Sequence, residues 1–358
     1  MARFSEVLKI INGKNQTKVE NPNGKYPIYG SGGIMGYADD YICNSDTVII
    51  GRKGSINKPI FVETPFWNVD TAFGLEANRE KLIPKYLFYF CQNFDFEKLN
   101  TTVTIPSLTK ANLLDVEIPL VSIREQEKIV NRLEKVDELI FCHKEQLAKL
   151  DELVKARFVE MFGNPVKNDM GWESKPLNEV CDGIGDGLHG TPVYDDNGEY
   201  PFINGNNLID GKIVITSSTK TVSEETYKKH FIDISTNAIL VSINGTLGKL
   251  AFYNGEKVML GKSACYCNLK QNINKVFVYG IMKSDSFAEF LENSSTKSTI
   301  KNVGLKAMRE YKLILPPTEL QDQFAAFVEQ TDKTKAEVQK SLDELEILKK
   351  SLMQKYFG

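Results

Sequence analysis

The chain has 358 residues, of which 42% are hydrophobic and 25% charged, and a formal net charge of −3. That length holds two or three ordinary domains, and no apolar run reaches the roughly 18 residues that a membrane-spanning helix needs. The opening MARFSEVLKIINGKNQ lacks the charged, apolar and small-residue succession of a secretory signal, so a cytoplasmic protein is expected. A negative total argues at first against a nucleic-acid partner, but the charge is unevenly placed. Residues 1–117 carry 13 basic and 13 acidic side chains, and residues 164–316 carry 17 of each. The acidic excess sits at 120–163, with 8 basic against 9 acidic, and at 317–358, with 6 against 8. Six scattered cysteines without a C-x-x-C pair, and histidines only at His143, His189 and His230, predict free thiols and no structural metal.

In chain order, residues 1–118 read as a mixed, mainly β domain. Short β-branched runs at 47–50 and 59–62 are separated by Gly, Asn and Pro turns, and a short helix is expected at 83–93. Tyr29 and Ser31 flank an early glycine turn and are candidate DNA contacts, with plain turn chemistry as the alternative. Arg52, Lys53 and Lys58 lie on the glycine-bearing turn between the two runs, with Arg52 best suited to a bidentate guanine contact; a solvated hairpin is the alternative. Thr101, Thr102, Thr104 and Lys110 form a polar strip suited to phosphate or base contacts, or to helix capping. From 119 to 163, Ile129, Leu133, Val136, Ile140, His143, Leu147, Leu150, Val154 and Arg157 alternate spacings of four and three. That is a coiled-coil seam, with His143 as a packing or registry residue.

Residues 164–316 form a second β-rich domain, with runs at 213–216 and 238–241 and a helix expected over 276–292. His189 stands in the turn Asp186-Gly-Leu-His189-Gly-Thr-Pro192, as a DNA contact or as a brace. Asn204, Asn206 and Asn207, then Asn244, Thr246 and Lys249, then Lys297, Ser298, Thr299 and Lys301, form three further polar stretches able to reach groove edges; plain turn chemistry, a solvated hairpin, and helix capping or a loop are the respective alternatives. Cys265 and Cys267 alternate in an apolar run and are expected on one face. From 317 to 358, Phe324, Val328, Thr331, Lys335, Val338, Leu342, Leu345, Lys349 and Leu352 repeat the seam, weakened at the two lysines. About 40 helical residues at roughly 1.5 Å rise make a rod of about 60 Å. One such rod cannot bury its seam alone, and its repeat is the natural partner.

The plan of domain, long helix, domain, long helix is written twice. LDELVKARFVEMFG at 150–163 matches the C-terminal LDELEILKKSLMQKYFG as Leu150/Leu345, Leu153/Leu348, Lys155/Lys350, Phe162/Phe357 and Gly163/Gly358, a shift of 195. Upstream, Ile118-Pro119 followed by Gln126 echoes Leu315-Pro316 followed by Gln323 at a shift of 197, which calls for a two-residue gap. KYPIYG from Lys25 resembles EYPFIN from Glu199. VIIGRKGSINKPIFV from Val48 resembles ILVSINGTLGKLAFY from Ile239, pairing Gly54/Gly245, Ser55/Thr246, Lys58/Lys249 and Phe61/Phe252. TTVTIPSL ending at Leu108 resembles STIKNVGL ending at Leu305.

Two catalytic signatures fail on inspection. Gly185 to Gly190 fits G-x-G-x-x-G, but Thr191-Pro192 follow where a helix should run and no clear strand precedes it. Gly261-Lys262-Ser263 resembles the end of a phosphate-binding loop, but Glu256 stands where its first glycine is required. The N-P-P-[YF] or D-P-P-[YF] tetrad of an adenine methyltransferase is absent, and no acid–base constellation suggests a catalytic site.

The order and duplication of these features resemble the specificity subunit of Type I restriction-modification systems across essentially the full length. The helix openings IPLVSIREQ and LPPTELQDQ are similar to that family's proline-leucine-x-x-Gln entry, and the Asp186–Pro192 turn is similar to its D-G-x-H-x-T-P turn. The resemblance implies an α+β chain: target-recognition domains at 1–118 and 164–316, and conserved helical regions at 119–163 and 317–358 packed as an antiparallel coiled coil with pseudo-two-fold symmetry. It also implies a non-catalytic DNA-reading role on a split, asymmetric double-stranded site, with two methyltransferase subunits docked along the helices. S-adenosylmethionine would sit on the methyltransferase, and ATP and Mg on a restriction subunit where one is present. A coiled-coil scaffold carrying two protein-binding domains is the competing expectation.

Overall fold

The computed structural model describes residues 1–99 and 107–358. The chain divides into two compact units, Met1–Gln146 with Val338–Gly358, and Leu147–Glu337. Each unit therefore combines one β-rich domain with part of each long helix, Ile123–Phe162 and Thr318–Phe357.

In the first unit a four-stranded antiparallel sheet runs in the order Leu8–Asn12, Ala72–Ala77, Thr47–Gly51, Ile60–Val62. Thr47–Gly51 is buried at every residue, which is why its sequence shows a continuous apolar run instead of alternation. A smaller sheet joins Gly33–Ala38, Tyr26–Gly30 and Trp67–Asn68, the last pair parallel, and Ala2–Arg3 clasps Glu117–Ile118. Pro84 opens the helix Pro84–Asn93, where its missing N–H costs nothing. Its buried face (Tyr86, Leu87, Phe90) shares one core with Phe4, Leu75, Ile129, Leu133, Met353 and Phe357. Within this unit the two helical segments run antiparallel. Arg132 donates to the Tyr356 hydroxyl at 3.0 Å, Lys349 pairs with Asp137 at 2.7 Å, and Lys144 pairs with Glu346 at 3.1 Å.

The second unit repeats this design strand for strand. Its sheet runs Cys181–Asp186, Ala264–Leu269, Ala238–Ser242, Leu250–Tyr253. Its smaller sheet runs Thr221–Val222, Tyr200–Ile203, Met259–Leu260, and its clasp joins Glu173–Pro176 to Lys312–Leu315. It adds the hairpin Leu208–Ile209 with Lys212–Ile213 and the short helix Glu224–Lys229. Antiparallel helical segments again pack within the unit: Lys335 pairs with Asp151 at 2.7 Å, and the Phe158 and Phe324 rings meet edge to face at 5.4 Å. Cys181, Cys265 and Cys267 are buried in its core, the last two on one face as expected. Every seam residue named from the periodicity is buried or half-buried. The two polar breaks, Lys335 and Lys349, are the residues that pair with Asp151 and Asp137.

The structure corrects four details of the sequence reading. The helix expected over 276–292 is two helices, Lys275–Met282 and Asp285–Ser294. They are split at Ser284, whose hydroxyl donates to the Ile281 carbonyl and caps the second helix. Of the run at 213–216 only Ile213 is strand, at the end of Lys212–Ile213, because the Val214 carbonyl is taken by the Asn207 amide. A strand, Cys181–Asp186, does lead into the G-x-G-x-x-G match, but a turn and not a helix follows it.

The fourth correction concerns register. Gln126 is fully buried; its carbonyl accepts the Ile83 N–H at 2.9 Å, and its amide donates to Lys81 O and Val121 O, each at 2.9 Å. The residue in the same role in the second unit is the buried Gln321, which accepts from Asn274 N at 3.0 Å and donates to Pro316 O at 2.8 Å. Gln323 is exposed. The shift is therefore 195 at this glutamine as it is along the rest of the helices, and no gap is needed. Likewise Leu108 corresponds to Val303 and not to Leu305. Both are buried, and their N–H groups donate to Arg52 O at 2.9 Å and Ile243 O at 2.8 Å.

Candidate nucleic-acid interface

In the first unit the candidate edge is built where Thr47–Gly51 ends. The Arg52 N–H donates to Thr71 O at 2.7 Å, and its carbonyl accepts from Leu108, so the backbone is held from both sides. A Cβ at Gly51 would lie 2.5 Å from Ser55 O and 3.0 Å from the Ser31 side chain; only glycine lets the Tyr26–Gly33 turn approach so closely. Ser31, Arg52 and Lys53 are thus brought together, with Lys53 bridged to Ser107. Arg52 is exposed, with its guanidinium 5.7 Å from the Phe73 ring centroid. Among the described residues no carboxylate lies within ion-pair distance of Arg52, Lys53 or Lys58. Gly54, at φ +77°, turns the chain between them.

Other candidates in this unit are placed differently. The Tyr29 ring is half-buried, edge-on to Phe66 at 5.4 Å, and burial raises its hydroxyl pKa above the usual value, so the ring belongs to the core. The Lys110 ammonium donates to Ile10 O at 2.9 Å and ties the helix Lys110–Leu114 to the first sheet strand. Thr101, Thr102 and Thr104 lie outside the described residues.

In the second unit the same backbone site carries different chemistry. Ile243 occupies the Arg52 position: its N–H donates to Ser263 O at 3.0 Å and its carbonyl accepts from Val303. It is buried where Arg52 is exposed. Asn244 donates to the Asn302 side-chain carbonyl at 3.0 Å, and Gly245 N–H donates to Lys301 O at 2.9 Å. These bonds draw the Asn244–Lys249 turn against the strip 297–301. Thr246, Lys297, Ser298 and Thr299 are exposed; Lys301 is ion-paired with Glu292 at 2.5 Å. The Ser263 hydroxyl joins a further stretch to this edge, donating to the Asn204 side-chain carbonyl at 3.0 Å and accepting from Gly205 N at 2.9 Å. Asn206 is exposed beside it, whereas Asn207 braces the inserted hairpin. The His189 imidazole lies 2.8 Å from the Asp186 carboxylate, a brace within its turn, and the turn itself is pinned by Leu188 N to Leu260 O at 2.8 Å. Ser263 and Asn302, which tie these stretches together, carry no motif that marks them in the sequence. Pairing 107 with 302 at the shift of 195 points to Asn302.

Residues 1–152 and 170–347 match the family described as Type I restriction modification DNA specificity domain. The chain belongs to that family. This specificity-domain protein is 26% identical over 197 residues to a putative type I restriction enzyme specificity subunit, MjaX, of Methanocaldococcus jannaschii. The match takes in 52% of this chain but 45% of that relative, so it spans about half of the relative's length. It is 20% identical over 380 residues to the type I restriction enzyme EcoBI specificity subunit of Escherichia coli, covering 93% of this chain and 77% of the relative. Its fold is similar to that of the S subunit of a Type-I restriction-modification system from M. genitalium, with TM-score 0.62 and 17% identity over 100% of this chain and 95% of that one. Two β-rich domains and long helices are thus the architecture of the specificity-domain family. Among the described residues no helix is long and apolar enough to cross a membrane, and no cluster of His, Cys, Asp or Glu is placed to hold a metal ion.

Proposed function

We propose that this chain is the DNA-reading subunit of a Type I restriction-modification complex, each unit reading one half of a split, asymmetric site on double-stranded DNA. Partner methyltransferase subunits, two per chain, carry S-adenosylmethionine and methylate adenine at the site so marked. Restriction subunits, where present, carry ATP and Mg. The observation that supports this reading is one backbone edge built twice with unlike side chains. Arg52 and Lys53 face solvent in the first unit, where Ile243 is buried and Asn244 is bound to Asn302 in the second. A duplicated scaffold with unlike edges suits an asymmetric sequence, because side-chain chemistry at groove edges discriminates bases while the frame supplies position. The helices, at 40 residues each, would set half-site spacing near one DNA turn.

Methylome sequencing of a host expressing the chain with its methyltransferase tests this. The expected result is one bipartite motif with two different halves, a fixed spacer and modified adenine. A contiguous or palindromic motif, or no motif, would sink the proposal.

A further inference from the structure

The second unit contains a half-open cavity of about 360 Å³. It forms because the connection after Tyr200–Ile203 is long. In the first unit the equivalent connection turns directly from Gly30 to Gly33, whereas here the chain makes the hairpin Leu208–Ile209 with Lys212–Ile213 and a further turn before Thr221. The volume is at the lower end of ordinary small-ligand sites, roughly 300–1,000 Å³.

The cavity is braced before any ligand arrives. The Asn207 amide donates to Val214 O at 3.0 Å, and Thr216 N–H donates to the Thr219 hydroxyl at 2.9 Å. Asn204 N–H donates to the Asn207 side-chain carbonyl at 3.0 Å. Other groups are left over: among the described residues the Asn204 side-chain NH2 and both ends of the Asn206 amide make no hydrogen bond. One wall is aromatic, with Tyr194 exposed and edge-on to the buried Phe202 at 5.9 Å. Lys220 stands at the rim, 3.8 Å from Asp196, and no carboxylate lines the cavity itself. An exposed tyrosine ring, amides that both donate and accept, and a single cation suit a planar heterocycle with mixed donors and acceptors attached to a phosphate. They do not suit a cation, and one lysine is thin provision for a free polyanion. The cavity also shares Asn204 with the Ser263-linked edge described above, so DNA held on that edge brings bases to its mouth.

A duplex in its stacked form offers no single group that protrudes far enough to fill such a cavity; a base turned out of the stack does. We propose that this cavity receives one nucleobase extruded from the half-site read by the second unit. The proposal rests on the DNA-reading function proposed above.

The test uses the chain assembled with its methyltransferase on target duplexes carrying 2-aminopurine at successive positions. Fluorescence reports unstacking, and anisotropy on the same duplexes reports specific binding. One position other than the methylated adenine is expected to brighten several-fold. That signal is expected to be lost in Tyr194→Ala and in Ile209→Trp, while the methylated position keeps its signal. Ile209 is exposed at the cavity lining, so the tryptophan fills space without disturbing the core. Specific binding with no second bright position, or with one indifferent to both substitutions, overturns the inference and leaves the DNA-reading function standing. Loss of sequence-specific binding in the unsubstituted complex overturns both.

Discussion

Replacing the buried glutamine that closes each unit gives the sharpest test of the repeat. Gln126→Leu keeps the side-chain volume roughly constant but removes three hydrogen bonds, to Ile83 N, Lys81 O and Val121 O. At about 1 kcal/mol for each bond, with a further penalty for the half-buried Ile83 N–H left without a partner, the loss is about 2–4 kcal/mol after allowing for the apolar gain. In a unit of this size that lowers Tm by about 5–15 °C. Gln321→Leu removes two bonds instead of three and is expected to cost about 1 kcal/mol less. Gln323→Leu, at an exposed position, is expected to change stability by less than about 0.5 kcal/mol. The two tryptophans make the measurement local. Trp67 lies in the first unit and Trp172 in the second, so urea titrations in Trp172→Phe and Trp67→Phe backgrounds report on each separately. A loss below about 1 kcal/mol for Gln126→Leu, or a Gln323 variant as damaging as the Gln321 one, would refute the account.

Other substitutions address the edges and the helices. Arg52→Ala is expected to cost roughly 1–3 kcal/mol against the preferred base and to relax the motif at one position. Lys58→Ala should weaken all sequences alike; binding-and-sequencing selections separate the two patterns, and a uniform loss for Arg52→Ala would assign it to phosphate. Exchanging residues 164–316 for the matching domain of another family member should change one half of the methylated motif, and a change in both halves would end the modular reading. Lys335→Leu, in a half-buried seam position whose partner Asp151 stays solvated, should stabilise the second unit by up to about 1 kcal/mol in urea titration; a net loss would show that the ion pair carries stability.

What could be read from the sequence divides along physical lines. The seams are legible because a helix needs only residue type at a fixed period to show which face it buries. Even Lys335 and Lys349 sit in register, and only their partners are hidden. The β-rich domains are less legible because their register is set by distant segments. Tyr29 reads as a turn residue until Phe66 arrives from the Cys43–Phe66 bridge and takes its ring. The entry prolines point to Gln323 and the helical shift of 195 to Gln321, and the bonds of Gln321 with the Asn274 N–H and the Pro316 carbonyl decide between them. Ser263 is marked by no motif, yet it links three stretches that are 20 to 59 residues apart in sequence.

Net charge leaves one question, which the edges answer quantitatively. Of the candidate contact residues, Arg52, Lys53, Lys58, Lys249 and Lys297 are the cations free of ion pairs and of backbone carbonyls among the described residues, while Lys110 and Lys301 are engaged. If all five met phosphates, the slope of log K against log salt would be about −4.5, at roughly −0.9 for each contact on B-DNA. Five contacts supply only a modest share of the electrostatic attraction that long, continuous duplex contacts supply, and the domains around them are neutral overall. The isolated chain is therefore expected to bind its target weakly, with a slope no steeper than about −4.5 and little binding left at physiological salt. The complex with methyltransferase should bind tightly and with a steeper slope, because the added cations belong to the partner. Fluorescence anisotropy across a salt series, with and without the partner, measures both slopes. Tight, specific binding by the chain alone at physiological salt, with the slope unchanged on adding the partner, would mean that the reading edges lie elsewhere on these domains.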